Sequence, residues 1–377
     1  MRVVIYTETF LPKIDGIVRV LCLTLEHLQR RGIKALVVAP DHGGKIDEYA
    51  GHPVLRIPAM RNPVYPEGRI SFVMPTTYRR VQSFKPDLMH SFHPVWTGLA
   101  GVLFAQWLKV PALSSFHLDV ERAARFYKVP LVGGMTTRVT TWAFNHSRYS
   151  LAPSRLVQKQ MRANGVKQVG LWRRGVDAEM FHPRNRDMAM RELLSDGHPE
   201  DKLLLYVGRL APEKQIHEIR AVLERVPGTR LALVGGGPME ASLREHFKGL
   251  PVNFVGYLKG EKLSQAYASA DVFVFPSAFE SFGLVILEAM ASGVPVVSSR
   301  VGGAQDMIAE DVSGFTFDVD DVEGMVNGVQ RIVATPEKLE TMRLAARTAA
   351  ERQSWPAMMD ELVDCYDALL AGKPMPI

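Results

Sequence analysis

With 377 residues, 47% of them apolar, the chain is long enough to fill two hydrophobic cores, and it has neither the low-complexity tracts of a disordered segment nor the short repeats of a solenoid. The net charge of +5 is uneven: residues 1–190 carry 27 Lys and Arg against 13 Asp and Glu, and the remainder carries 18 against 27. A basic first half points to phosphate or an anionic membrane, and the absence of a zinc knuckle, an RNP-like aromatic strand or a helix-turn-helix pattern argues against nucleic acid.

The opening MRVVIYTETF reads as a strand, without the apolar region a signal peptide needs. Strand-like runs follow at 35–39, 54–57, 88–91, 112–115 and 170–172, separated by helical patterns. The most apolar stretch, 94–108, is too short to span a bilayer and reads as a buried helix. The expectation is therefore a cytoplasmic protein, at most peripheral on the inner face of the plasma membrane. Cys22 and Cys365 lack any CxxC or Cys/His spacing, which fits reduced thiols and no metal site.

A second array starts at 203–207 and continues with runs at 230–234, 253–255, 272–275, 294–298 and 314–317, with helical patterns at 213–224 and 239–247. The charged, Pro-containing stretch 182–203 reads as the connection between arrays. The pattern predicts an α/β chain of two Rossmann-like domains, 1–185 and 186–353, whose parallel sheets face a central cleft. A last helix, 354–377, is expected to cross back onto the first domain. Ligands of such sheets bind at the carboxyl ends of the strands, so motifs there matter most.

The first is TETFLPKIDGIV, in which Gly16 opens a helix after the first strand. Glycine lets the backbone approach a diphosphate, and the helix start offers free N–H donors. It is not GxGxxG, which speaks against an NAD-dependent oxidoreductase. The second is GRLAPEKQ at 208–215, where Arg209 and Lys214 have the charges to hold the two phosphates of a leaving nucleoside diphosphate; a solvated helix start is the plainer alternative.

The third, FESFGLVILEAMASGVPVV at 279–297, places Glu280 and Glu288 eight apart, with Gly283 at the start of a helix between them. One carboxylate can meet sugar hydroxyls and the other the ribose diol, while N–H groups around Ser281, Phe282, Gly283 and Leu284 face the phosphate and sugar. A glutamate inside LVILEAM is costly to bury without a partner. The fourth is His117, in Ser115-Phe116-His117 at a strand end, with His90 and His93 at the neighbouring end. Gly235, Gly236 and Gly237, Gly302 and Gly303, and Gly256-Tyr257, where a base could stack, are lesser candidates. Asp318-Val319-Asp320 spells the DxD of metal-dependent transferases but reads as an N-cap cluster for the next helix.

At these residues the chain resembles the retaining glycosyltransferases of family 4, which have the GT-B fold. The resemblance implies that Arg209 and Lys214 clamp the diphosphate, that Glu280 contacts the transferred hexose and Glu288 the ribose, that His117 lies beside the sugar, and that Gly16 belongs to the glycine loop. It also implies a donor that is a nucleotide-diphosphate sugar, no metal or other cofactor, and front-face displacement in which the leaving phosphate accepts the acceptor's proton; neither Asp15 nor Asp119 is placed as a nucleophile. FLPKIDGIV and LWRRGVD at 171–177 are similar to lipid-directed members, the sulfoquinovosyl-diacylglycerol synthases and related mannosyl- and glucosyltransferases. This favours a UDP-linked sugar (UDP-sulfoquinovose or UDP-glucose) and a lipid acceptor such as diacylglycerol, with GDP-mannose-dependent α-mannosyl transfer as the alternative. Those enzymes carry Thr after the histidine and Glu-Thr-Leu-Gly in the later motif, where this chain has Leu118 and Glu280-Ser281-Phe282-Gly283. Arg122, Arg125, Phe126, Tyr127 and Lys128, with Arg138 and Trp142 beyond them, interleave basic and aromatic residues suited to an anionic lipid surface. A catalytically silent module would not need all five of His117, Arg209, Lys214, Glu280 and Glu288, and no lysine signature suggests a pyridoxal phosphorylase.

Overall fold

The computed structural model describes residues 1–13, 15–44, 46–62, 69–118, 130–280 and 282–376. The chain divides into two units, Met1–Arg174 with Pro356–Ile377, and Gly175–Trp355. The division thus falls eleven residues before the expected 185/186 boundary and two after 353/354. Its cause is packing: Val176 and Phe181 are buried in the second unit's core, Phe181 lies edge-on to Tyr267, and the Val176 N–H donates to the Gln353 carbonyl.

Among the described residues the first unit contains an eight-stranded sheet in the order β10-β9-β8-β7-β1-β2-β4-β3. Its strands are β1 (Arg2–Thr7), β2 (Lys34–Pro40), β3 (Glu48–Tyr49), β4 (His52–Ile57), β7 (Leu88–Phe92), β8 (Ala112–Ser115), β9 (Tyr149–Ala152) and β10 (Val169–Leu171). A separate hairpin is formed by β5 (Ala59–Arg61) and β6 (Arg69–Ser71). All pairings in the large sheet are parallel except β3 with β4. Central β1 is buried on both faces, as a strand covered by helices on each side must be, which is why RVVIYT reads as a continuous apolar run. Thr7 pairs with Phe92, Phe92 with Ser115 and Ser115 with Leu151, so the carboxyl ends lie along one edge and the residues that follow them are brought together there.

Three anchors fix the last helix, Trp355–Ala371, to this unit from residue 356 onward. The Trp172 indole donates to the Met358 carbonyl, His27 pairs with Asp360 at 2.9 Å, and the Tyr366 hydroxyl meets His90.

The second unit contains β11 (Lys202–Val207), β12 (Thr229–Val234), β13 (Val252–Gly256), β14 (Val272–Phe275), β15 (Val296–Ser299) and β16 (Gly314–Phe317), all parallel, in the order β13-β12-β11-β14-β15-β16. The expected helix at 213–224 is broken. Gln215 adopts φ +46, so two 3-10 turns, Pro212–Lys214 and Ile216–Ile219, precede the short helix Arg220–Arg225. The connection at 182–203 is likewise structured, with a 3-10 turn at Pro183–Asn185 and a helix at Met188–Leu194. Among the described residues no helix is long and apolar enough to cross a membrane.

One buried charge cluster ties this unit together. Asp271, just before β14, accepts from Arg191 Nη2 at 2.8 Å, Arg343 Nη2 at 2.7 Å and the Leu203 N–H at 2.8 Å. Removing the anion strands two buried guanidinium groups. Asp271→Ala is therefore expected to cost about 3–5 kcal/mol of second-unit stability in urea unfolding, and a loss under about 1 kcal/mol would show that the cluster is not holding these helices.

Candidate functional site

The loop after β11 is shaped by backbone contacts. Gly208 has φ +154 and Gly235 φ +134, and a Cβ on Gly235 would lie 2.0 Å from the Gly208 carbonyl oxygen, so the loops after β11 and β12 touch main chain to main chain. A Cβ on Gly237 would likewise meet the Leu210 oxygen at 2.4 Å. Tyr257, largely exposed after β13, lays its ring against Gly236, where a Cβ would come within 2.7 Å of it. The lesser candidates Gly235 to Gly237 and Gly256-Tyr257 thus share one loop cluster.

Arg209 pairs with the buried Glu213 carboxylate four residues on, and the Tyr206 hydroxyl donates to the Arg209 carbonyl. Lys214 reaches the loop after β14: its Nζ lies 2.9 Å from Glu280 Oε2 and 5.2 Å above the Phe275 ring. That loop is also tied through the backbone, the Ala278 N–H donating to the Glu213 carbonyl at 2.8 Å. Gly302 keeps the loop after β15 close, since a Cβ there would lie 2.9 Å from the Glu280 carbonyl oxygen, and the Gly303 N–H donates to the Phe282 carbonyl.

Gly283, at φ +96, starts the helix Leu284–Ala291 without a side-chain cap. Glu288 lies inside that helix, 4% exposed, and accepts a 3.0 Å hydrogen bond from the buried Tyr267 hydroxyl. This answers the sequence problem of a glutamate in an apolar helix: the carboxylate is buried and partnered. Ser281, grouped with these by sequence, lies outside the described residues, as do Asp119, Arg122, Arg125, Phe126, Tyr127 and Lys128.

In the first unit, His90, His93 and His117 gather at the sheet's carboxyl edge. Ser115 Oγ sits between His90 Nε2 (2.9 Å) and His117 Nε2 (2.8 Å), and His90 Nδ1 meets the Tyr366 hydroxyl at 2.7 Å. Phe92 stacks on the His117 ring at 4.6 Å, and Arg174 Nη2 approaches His117 Nδ1 at 3.5 Å. His93 adopts φ +64 and its Nδ1 accepts from the His117 main-chain N–H. Burial pushes His90 and His93 down to about 3 and holds His117 well below the ordinary imidazole range, with buried Arg174 adding to the effect at His90 and His117. Gly16 opens the helix Gly16–Arg30, but Asp15 caps it, accepting from the Val18 N–H at 2.9 Å and pairing with Lys13.

Sequence reading missed several partners. Glu8 follows β1 directly and accepts from the N–H groups of Val95, Trp96, Thr97 and Gly98, holding the start of the helix Thr97–Leu108. A glutamate at the exit of a buried strand was the available signal. Tyr267 and Tyr366 gave none, since their roles arise only from long-range packing, and Arg174 stood in the LWRRGVD segment without any sign that it meets the histidines. The DxD reading needs one correction: the N-cap of Val322–Val333 is Asp321, whereas Asp318 pairs with Arg300 and Asp320 accepts from Gln215. No group of three or more His, Cys, Asp or Glu suited to a metal occurs among the described residues.

Residues 14–180 match the family described as Glycosyltransferase Family 4, and residues 194–349 match Glycosyl transferases group 1. The chain is 35% identical to a sulfoquinovosyl transferase of Arabidopsis thaliana over 88% of this chain and 66% of that protein, so it spans just under two thirds of that relative's length. It is 34% identical to a GDP-mannose-dependent alpha-mannosyltransferase of Mycolicibacterium smegmatis, over 100% of this chain and 99% of the relative. In fold it is similar to a sucrose-phosphate synthase from Thermosynechococcus elongatus, with a TM-score of 0.79 at 20% identity over 99% of both chains.

The buried histidines make the stability acid-sensitive. In the unfolded chain a histidine gains its proton near pH 6.5, while folded His90 and His93 resist protonation down to about 3. Below pH 6.5 the unfolded state therefore binds more protons, and stability present above that pH is lost as pH falls. Together the two are expected to contribute about 2.7 kcal/mol per pH unit between about pH 5.5 and 4, and His90→Gln to remove about half of that slope in urea unfolding; equal slopes would contradict the burial argument.

Proposed function

The chain belongs to the family 4 glycosyltransferases and has their GT-B fold, and from that premise we propose that it moves a hexose from a nucleoside-diphosphate sugar to a lipid hydroxyl with retention at the anomeric carbon. The observation that carries the donor half is the Lys214–Glu280 pair beside Arg209. The three charges sit on loops that follow neighbouring strands, β11 and β14, in the second unit. A diphosphate arriving there offers Lys214 and Arg209 stronger partners than their present carboxylates, and the exchange releases Glu280 to accept from sugar hydroxyls. The two cations then stabilise the charge that develops on the leaving phosphate. Glu288, held by Tyr267, takes the ribose in this reading, and Tyr257 offers a ring for the base. We assign the phosphate charge to side chains, so chelation of divalent metal is expected to leave turnover unchanged.

The first choice of donor is a UDP-linked sugar, favoured by the likeness of FLPKIDGIV and LWRRGVD to the sulfoquinovosyl-diacylglycerol synthases. A GDP-mannose donor is the second reading, favoured by the mannosyltransferase relative matched along 99% of its length. The lipid acceptor has its own support in the first unit. The helix Pro130–His146 exposes Met135, Val139 and Trp142, whose four- and three-residue spacing puts them on one face, with Arg138 between them. An exposed apolar helix face carrying a cation suits a peripheral seat on anionic lipid.

A thermal-shift panel of UDP-, GDP- and ADP-sugars without metal tests the donor class, because a ligand that binds only the folded state raises the apparent stability. Lys214→Ala is expected to lower kcat by about 100–1,000-fold with the fold intact, as loss of a charge-stabilising donor does. Glu288→Gln is expected to abolish the stabilisation by donor. Near-wild-type turnover in the first variant, or no shift with any nucleotide sugar, would sink the assignment.

A further inference from the structure

We propose that Arg174 is a positioning residue: it sets the direction of a buried hydrogen-bond chain running from His117 through Ser115 and His90 to Tyr366, and so fixes the His117 imidazole proton on Nε2.

Four contacts make the chain. Arg174 Nη2 lies 3.5 Å from His117 Nδ1, His117 Nε2 is 2.8 Å from Ser115 Oγ, Ser115 Oγ is 2.9 Å from His90 Nε2, and His90 Nδ1 is 2.7 Å from the Tyr366 hydroxyl. The imidazoles and hydroxyls can each donate or accept, so the inner links allow two opposite directions. A guanidinium only donates. Facing Arg174, His117 Nδ1 must accept, which leaves the proton on Nε2. Ser115 Oγ then accepts from His117 and donates to His90 Nε2, and His90 carries its proton on Nδ1, toward the tyrosine oxygen. The opposite direction would set an imidazole N–H against a guanidinium N–H in a buried site, where such a mismatch is most costly.

Arg174 is itself held rigidly. Its Nη1 donates to the Trp172 carbonyl at 3.0 Å, its Nη2 lies 3.4 Å from the Phe116 carbonyl, and the guanidinium stacks 4.3 Å from the Trp172 ring. It is 4% exposed, and burial pulls it down to about 9, still a cation at neutral pH. Among the described residues, Arg174, His93 and His90 face His117, and each opposes a positive imidazole. Neither the chain nor Arg174 takes part in the donor assignment above. The hydrogen-bond direction stands on first-unit geometry alone; its effect on turnover rests on the reading that places His117 beside the transferred sugar.

Two-bond proton–nitrogen NMR on histidine-labelled protein, with His117→Asn assigning the signal, reads the proton position directly. The expected wild-type spectrum shows His117 neutral at neutral pH and protonated on Nε2. In Arg174→Leu the fixed tautomer is lost and both ring protonation states of the neutral imidazole are populated, while burial still holds His117 below the ordinary imidazole range. Arg174→Lys restores it, and Tyr366→Phe, at the far end, leaves it unchanged. Turnover is expected to fall at least about tenfold in the leucine variant, with the donor KM little altered. A wild-type His117 proton on Nδ1 would overturn the proposal without any variant, as would an unaltered tautomer in Arg174→Leu. A tautomer shift with unchanged kcat would instead remove His117 from the sugar.

Discussion

Lys214 and Glu280 stand 66 positions apart, and their 2.9 Å contact is the constraint around which the second unit's loops are arranged. The sheet order makes it possible, because β11 and β14 are neighbours and the loops that leave their carboxyl ends emerge side by side. The backbone bond from Ala278 to Glu213 brings those loops into register, and Gly302 admits the loop after β15 against the Glu280 main chain. Any larger residue at Gly235 or Gly302 would push a main chain away from this arrangement before it touched a charged group. The charges are the visible chemistry, and the glycines are what allows them to meet.

The first unit solves its electrostatics the opposite way. Its strand ends carry three histidines and a buried arginine, and burial keeps the imidazoles neutral. Glu8 supplies negative charge near the same edge, but spends it on four N–H groups at the start of a helix. What results is a rigid aromatic and polar network in which hydrogen-bond direction, rather than net charge, is the adjustable quantity. Tyr366 reaches this network from the last helix, so the C-terminal segment contributes to the sheet edge as well as to packing.

Much of this was legible in the sequence, for identifiable reasons. Parallel strands buried on both faces are continuous apolar runs, so most of β1 to β16 stood out, and Gly, Arg, Lys and Glu at their ends marked the loops. β9 (Tyr149–Ala152) was missed although it is as long as β8, and the broken helix at 213–224 was missed because nothing in KQIHE announces a left-handed glutamine. The domain boundary slipped for a different reason. Charge and proline marked 182–203 as a connector, whereas the division follows from where Val176 and Phe181 are buried. Pairings such as Glu288 with Tyr267, or His117 with Arg174, join residues 21 and 57 positions apart and leave no local pattern to read.

The charge asymmetry of the chain was a poor guide to the loops after β11 and β14. The acidic second half, with 18 Lys and Arg against 27 Asp and Glu, is the one that presents Arg209 and Lys214. Each of these cations has a carboxylate beside it, Glu213 and Glu280 respectively, so the loops hold their cations without accumulating unbalanced positive charge. Both ion pairs are partly buried, and a multiply charged anion is a stronger partner for either cation than the carboxylate it holds. In the proposed reading a diphosphate is such an anion, and its exchange for Glu280 at Lys214 would bind phosphate and turn that carboxylate toward the sugar. Net charge over a domain sets the long-range field, while in the proposed reading the chemistry at this site is set by which carboxylate each cation gives up.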